Sequence, residues 1–227
     1  MNLLDLWPTL LACRQLDSVD PQLAVALGLD RDKHRSAGLV TCDQDDALYV
    51  ALDHCTKFAN VEVKFGQSFY AGSKHASGPF SGEVMGIVAG ADPEEVAEAL
   101  WSLRTCLREE VRFQSFPGEN QPAFLAHVIA ETGRYLAPLA QVSVGQPMAY
   151  LIAPPLEATV AVDAALKAAP VKLAKWIPPP SETNFAGAFL TGTLADLQAA
   201  RDAFIDAVGE VAKTPLQASR RPERLRR

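Results

Sequence analysis

The chain repeats itself. Residues 49–64 align with 159–174 at an offset of 110, pairing Val50 with Val160, Ala51 with Ala161, Asp53 with Asp163, Lys57 with Lys167, Ala59 with Ala169 and Val61 with Val171. Further on the offset drops to 102, with Gly90 opposite Gly192 and Ala97 opposite Ala199, so the first copy carries 8 extra residues in one loop. A chain of 227 residues built this way must fold as two similar units of roughly 100 residues each, close to the common domain size.

Each copy has the same order of elements. A short apolar strand (Ala37–Thr41; Met148–Ala153) leads into a helix (Asp46–Ala59; Ala158–Ala169), and a second strand follows at once (Val61–Phe65; Val171–Trp176). A Gly/Ser/Pro-rich loop and a third strand come next (Glu83–Ala89; Phe185–Thr191). A second helix ends the unit. In the first copy it opens at Asp92-Pro93-Glu94-Glu95, a capping carboxylate with proline at the first helical position and acids against the helix dipole. Its stripe is Val96, Leu100, Leu103 and Leu107; the second copy repeats it with Leu194, Leu197, Phe204 and Val208. The expected order is βαββα twice, each copy preceded by a helical segment (Leu3–Leu27; Ala123–Ala137). The turn formers Phe116-Pro117-Gly118-Glu119-Asn120 divide the chain into units 1–115 and 116–217, with a basic tail at 218–227.

Composition excludes several functions. The net charge is −6, but the tail holds five Arg and one Glu of the 21 basic and 27 acidic residues, leaving 16 against 26 in the body. Such a body repels nucleic acid. The tail itself reads as a solvated, disordered end, with a phosphate surface, an acidic partner or a membrane headgroup as the charge-compatible alternatives. No apolar run approaches the ~18 residues that span a bilayer, and the N-terminus lacks a signal-peptide pattern. A soluble, cytoplasmic protein is expected. The four cysteines (Cys13, Cys42, Cys55, Cys106) have no C-x-x-C spacing and read as reduced thiols.

Enzyme signatures are missing. There is no G-x-S-x-G, H-E-x-x-H, G-x-G-x-x-G or Walker motif, and His34, His54, His75 and His127 have no partner at ligand spacing, so neither metal nor cofactor is expected. Ala71-Gly72-Ser73-Lys74 opens no helix and so lacks the dipole that would hold a phosphate. Two polar clusters remain: Asp43-Gln44-Asp45-Asp46 before the first helix, and Ser181-Glu182-Thr183-Asn184 before the third strand of copy two. One cap explains one acid, not three. Glu83 and Glu182 hold equivalent places at the exits of the long loops, where carboxylates around one opening suit a small cation such as a protonated amine.

Several long segments carry a family likeness. Ala71-Gly72, Phe124-Leu125-Ala126-His127-Val128, the run from Gly145 through Pro147-Met148-Ala149-Tyr150-Leu151 to Ala153-Pro154-Pro155-Leu156-Glu157-Ala158-Thr159, and Pro178-Pro179-Pro180-Ser181-Glu182-Thr183-Asn184 resemble the EutL family of ethanolamine-utilisation shell proteins of bacterial microcompartments. The likeness runs over about residues 3–217. It implies an α/β (α+β) fold of two tandem, circularly permuted microcompartment domains, each an antiparallel-rich sheet flanked by helices. It further implies a homotrimer that imitates a hexamer and tiles with other shell proteins, without enzymatic turnover.

The resemblance also implies roles for residues. A small acidic channel that binds ethanolamine would be lined by Asp45, Asp46, Glu83, Phe113 through its backbone, Glu182, Thr183 and Asn184. The central pore would be gated by the loops at about 66–77 and 175–182, with Gly66, Ser68, Phe69, Tyr70, Gly72, Pro180 and Ser181 among the moving residues. The cysteines, Lys74 and the Arg-rich end depart from the family pattern. A small-amine sensor that does not tile, and metal-assisted hydrolysis through His75, are the competing readings of the residues.

Overall fold

The computed structural model describes residues 2–69, 78–179, 181 and 183–216. Tyr70, Gly72, Lys74, His75, Pro180, Glu182 and the basic tail lie outside the described residues.

Two antiparallel sheets carry the repeat. The first copy contributes β2 (Leu10–Leu16), β3 (Ser36–Cys42), β4 (Val61–Ser68) and β5 (Val84–Gly90), ordered β2-β3-β5-β4. The second contributes β7 (Ala123–Ile129), β8 (Met148–Ala153), β9 (Lys172–Ile177) and β10 (Ala186–Thr191), in the matching order β7-β8-β10-β9. Two short strands, β1 (Leu4–Leu6) and β6 (Phe113–Ser115), extend the second sheet beyond β7. The chain's first strand therefore belongs to the second sheet, with Leu6 opposite Phe113.

Helices α2 (Asp45–Phe58) and α3 (Pro93–Glu109) cover one face of the first sheet, and α5 (Pro155–Ala168) and α6 (Leu194–Lys213) cover one face of the second. The βαββα order holds in both copies. The leading segments do not: where helices were expected over Leu3–Leu27 and Ala123–Ala137, the chain forms strands β1, β2 and β7, leaving only the short helices α1 (Pro21–Ala26) and α4 (Leu136–Ala140). Leu10–Leu16 and Ala123–Ile129 are brief apolar runs whose period does not separate strand from helix. Pairing decides between them: β2 joins β3 and β7 joins β8 antiparallel, so each satisfies the open edge of its sheet.

Strand β8 shows how the two copies share a core. Ala149, Leu151 and Ala153 pack beneath α5 and α6, while Met148, Tyr150 and Ile152 turn the other way into a cluster with Leu48, Leu52 and Cys55 of α2. A strand buried on both faces reads as one continuous apolar run, as Met148–Ala153 does. Leu48 and Leu52 are fully buried in that cluster, where Leu52 also packs on Gly66 and Gly86 of its own sheet, and burial of each stabilises the fold by about 1.5–3 kcal/mol.

A buried carboxylate fastens the same join. Asp53 on α2, 1% exposed, accepts backbone N–H bonds from Gly133 (2.6 Å), Tyr135 (3.1 Å) and Leu136 (2.7 Å) in the second copy. Next to it Thr56 Oγ1 accepts from the Arg134 backbone N–H at 2.9 Å, and the Arg134 guanidinium donates to Ala59 O at 2.8 Å.

Candidate functional site

The acidic cluster sits at the start of α2. The helix cap is Gln44, without a side-chain cap bond, and Asp43 turns away to accept from Thr9 N–H at 2.6 Å. Asp45 and Asp46 occupy the first turn, where the helix dipole favours negative charge. Both are buried, so their carboxylates need partners. Asp45 Oδ2 accepts from Ser68 Oγ at 3.0 Å, and its Oδ1 accepts from the Asp46 N–H at 3.1 Å. Asp46 Oδ1 accepts a short bond from the Tyr150 hydroxyl.

Burial pushes the Asp45 carboxyl above its ordinary value; the bonds from Ser68 and the backbone oppose this, and the nearby charge of Glu83 adds to it. Burial also drives the Tyr150 hydroxyl well above the usual tyrosine value, reinforced by Asp46, so it remains a donor. A cation arriving here would relieve the crowding of three carboxylates, the arrangement that favours binding of positive charge.

Asp46 opens onto a cavity of about 430 Å³ between the two copies, walled by Tyr49, Tyr135, Tyr150, Trp176, Ser181 and Thr183 among others. Rings beside carboxylates suit an ammonium group, since the aromatic face attracts a cation. Ser181 and Thr183 join through their hydroxyls at 3.0 Å, and Asn184 adopts a left-handed φ of 59° to close the turn, its N–H donating to Ser181 O.

Of the expected channel residues, Asp46 and Thr183 border this cavity and Asp45 lies directly behind Asp46. Glu83 stands at the start of β5, its backbone N–H donating to Cys42 O at 2.8 Å. Phe113 is buried on β6 and packs its ring on Phe185, 5.5 Å between centroids, adjoining the turn at Asn184. Neither Phe113 nor Asn184 is among the described residues that line the cavity.

The expected gating loops need correction. Gly66 and Ser68 are strand residues, paired with Gly86 and Val84 of β5, because the ladder extends to the end of the pleated run. Lys175, Trp176 and Ile177 likewise belong to β9. Ser68 instead holds Asp45, and Gly66 borders the cavity. Phe69, beyond the strand, still bonds through its N–H to Glu83 O at 2.7 Å. Sequence reasoning missed Tyr49, Tyr135, Tyr150 and Trp176 as walls. Tyr150 and Trp176 share the signal that could have found them: each is a large polar-tipped ring within a strand, a residue that needs a polar partner when buried.

Comparison with known proteins decides the family. The shell protein EutL of Escherichia coli K12 is 47% identical over 210 residues, 92% of this chain and 95% of that protein. The chain belongs to the EutL family of bacterial microcompartment shell proteins. A crystal structure of the ethanolamine utilization protein EutL from Leptotrichia buccalis matches with a TM-score of 0.91 and 45% identity, covering 96% of this chain and 100% of that one. The trimeric microcompartment shell protein PduB shares the fold at a TM-score of 0.71 and 17% identity, over 90% of this chain and 89% of that one. No family model matches. As an EutL relative the chain is a structural tile of a microcompartment shell and not an enzyme, with the α/β architecture of antiparallel sheets and flanking helices that its residues imply. Among the described residues no helix is long and apolar enough to cross a membrane.

Proposed function

We propose that the chain forms a homotrimeric, cytoplasmic tile of an ethanolamine-processing compartment, in which the loops after β4 and β9 gate a central pore and the acidic cavity takes protonated ethanolamine. Units 1–115 and 116–217 supply two of six sectors around the ring.

One asymmetry carries this reading. The face of α2 that holds Val50 and Asp53 is buried against the second copy, Val50 being 3% exposed. The equivalent face of α5 holds Val160 and Asp163, and it is open: Val160 is 46% exposed, and among the described residues Asp163 pairs only with its helix neighbour Lys167 at 2.6 Å. Related surfaces seek related partners. The first copy of another chain offers α5 what the second copy offers α2, and repeating that step closes a ring of three chains. Buried acids beside aromatic walls support the choice of a small amine as ligand.

Two measurements test the proposal separately. Sedimentation of the full chain at micromolar concentration is expected to give trimers and Val160→Glu to give monomers; a monomeric native protein overturns the assembly. Calorimetry is expected to detect ethanolamine, with Asp46→Asn weakening it at least about tenfold, as loss of an interaction of about 1.4 kcal/mol would do. Equal binding by the native and Asp46→Asn proteins overturns the ligand assignment and leaves the trimer standing. Electron microscopy then distinguishes flat hexagonal sheets, expected of a tile, from dispersed trimers, expected of a sensor.

A further inference from the structure

His54 has no ligand partner near it in sequence, but the fold supplies two. It lies on α2, while Cys106 and Glu110 lie four residues apart at the end of α3, on one face of that helix. One ligand atom from each, the His54 imidazole nitrogen, the Cys106 sulfur and a Glu110 carboxylate oxygen, falls within 4.8 Å of the other two. We infer that His54, Cys106 and Glu110 form a binding site for a single zinc-like divalent cation that staples α2 to the end of α3.

The geometry suits a tetrahedral ion. With metal–nitrogen and metal–oxygen bonds of about 2.0–2.2 Å, the nitrogen and oxygen of a tetrahedral site stand about 3.4 Å apart. His54 Nδ1 and Glu110 Oε2 are 3.4 Å apart. A metal–sulfur bond of about 2.3 Å requires about 3.6 Å from sulfur to each of the others. The Cys106 sulfur closes that gap by a movement on the order of 1 Å, which the half-exposed Glu110 side chain can share.

The donor set also selects the ion. Thiolate, imidazole and carboxylate together suit zinc or cobalt and not magnesium or calcium, which take oxygen. The Cys106 thiol releases its proton to solvent on binding, and the metal takes its place on sulfur. Surroundings complete the site: Phe58 packs on the His54 ring at 4.8 Å between centroids, and a cavity of about 430 Å³ bordered by His54, Glu110 and His127 leaves the fourth position to water and opens a path for entry.

The test uses the full chain, stripped with a chelator under reducing conditions and titrated with cobalt(II). The expected result is one cobalt per chain, with a thiolate-to-cobalt charge-transfer band in the near ultraviolet that zinc abolishes by displacement. Cys106→Ser is expected to remove the band, and His54→Gln and Glu110→Gln each to weaken binding at least tenfold. His54→Gln changes a ring that borders the cavity, and Glu110→Gln a half-exposed side chain, so the test stays valid if Cys106→Ser fails to fold. No band in the native protein overturns the inference. So does a band that persists in Cys106→Ser and vanishes in Cys13→Ser or Cys55→Ser, or affinity that His54→Gln leaves unchanged.

Discussion

Replacing Asp53 with asparagine changes one atom and should loosen the join between the two copies. Asp53 Oδ1 accepts from Tyr135 and Leu136, and Oδ2 accepts from Gly133. An asparagine can keep its oxygen on the first pair only by turning an NH₂ group against the Gly133 N–H, a donor facing a donor in a buried place. A lost charge-assisted bond accounts for about 1.5–3 kcal/mol, and the two remaining bonds weaken as they become neutral. The expected total is about 3 kcal/mol. For a chain of this size each kcal/mol lowers the melting midpoint by about 2–4 °C, so Asp53→Asn should melt about 6–12 °C below the native protein. Circular dichroism at one fixed protein concentration measures it, with Glu109→Gln as the surface control, because the Arg108–Glu109 pair is exposed and contributes under about 1 kcal/mol. A shift of less than about 2 °C for Asp53→Asn would refute the idea that this carboxylate ties the copies together.

Three more outcomes rest on burial, close packing and backbone conformation. Burial, with the nearby cations Lys57 and Arg112, lowers His127 from the usual 6.5 to about 4, so between those values the unfolded chain takes up a proton that the folded chain refuses. Stability is then complete above about pH 6.5 and is lost as pH falls toward 4; in urea unfolding the native protein should lose about 1–2 kcal/mol more than His127→Gln between about pH 7 and pH 5, the figure being reduced because the ring borders two cavities. Equal losses in both proteins would contradict this. At Gly187, on β10, an added Cβ would come 1.9 Å from Leu151 O of β8, so Gly187→Ala should prevent folding of the second sheet and leave little protein in the soluble fraction. Gly145→Ala, at a φ of +83° with open space around it, should cost only about 1–2 kcal/mol in the same expression and melting assays.

Local pattern was enough to reveal the elements that repeat. The run Met148–Ala153 was readable as a strand to the residue, and the proline after Asp92 marked the start of α3. Asp92 nevertheless makes no side-chain cap bond, since position alone does not aim a carboxylate. The leading segments were opaque because β2 and β7 are strands by virtue of their neighbours β3 and β8, not by their own period. The acids at 45 and 46 stood out as more charge than a cap requires. Their aromatic surroundings did not, because Tyr150 reaches Asp46 from a strand about a hundred positions away. More than fifty positions likewise separate His54 from Cys106 and Glu110, so spacing rules that look for ligands on one stretch of chain pass over them.

The pairing of β1 with β6 has a consequence in time. Strands β2 to β5 can close their sheet as soon as Gly90 has left the ribosome, but Leu4–Leu6 must wait for Phe113–Ser115 before it has an edge to join. At about 5–20 residues per second, that interval after emergence of the first strand lasts on the order of ten seconds. Through it the nascent protein carries Leu4, Leu6 and Trp7 on an unpaired strand, so the stretch of synthesis before residue 113 is when a chaperone or a neighbouring nascent chain has its best opportunity to bind.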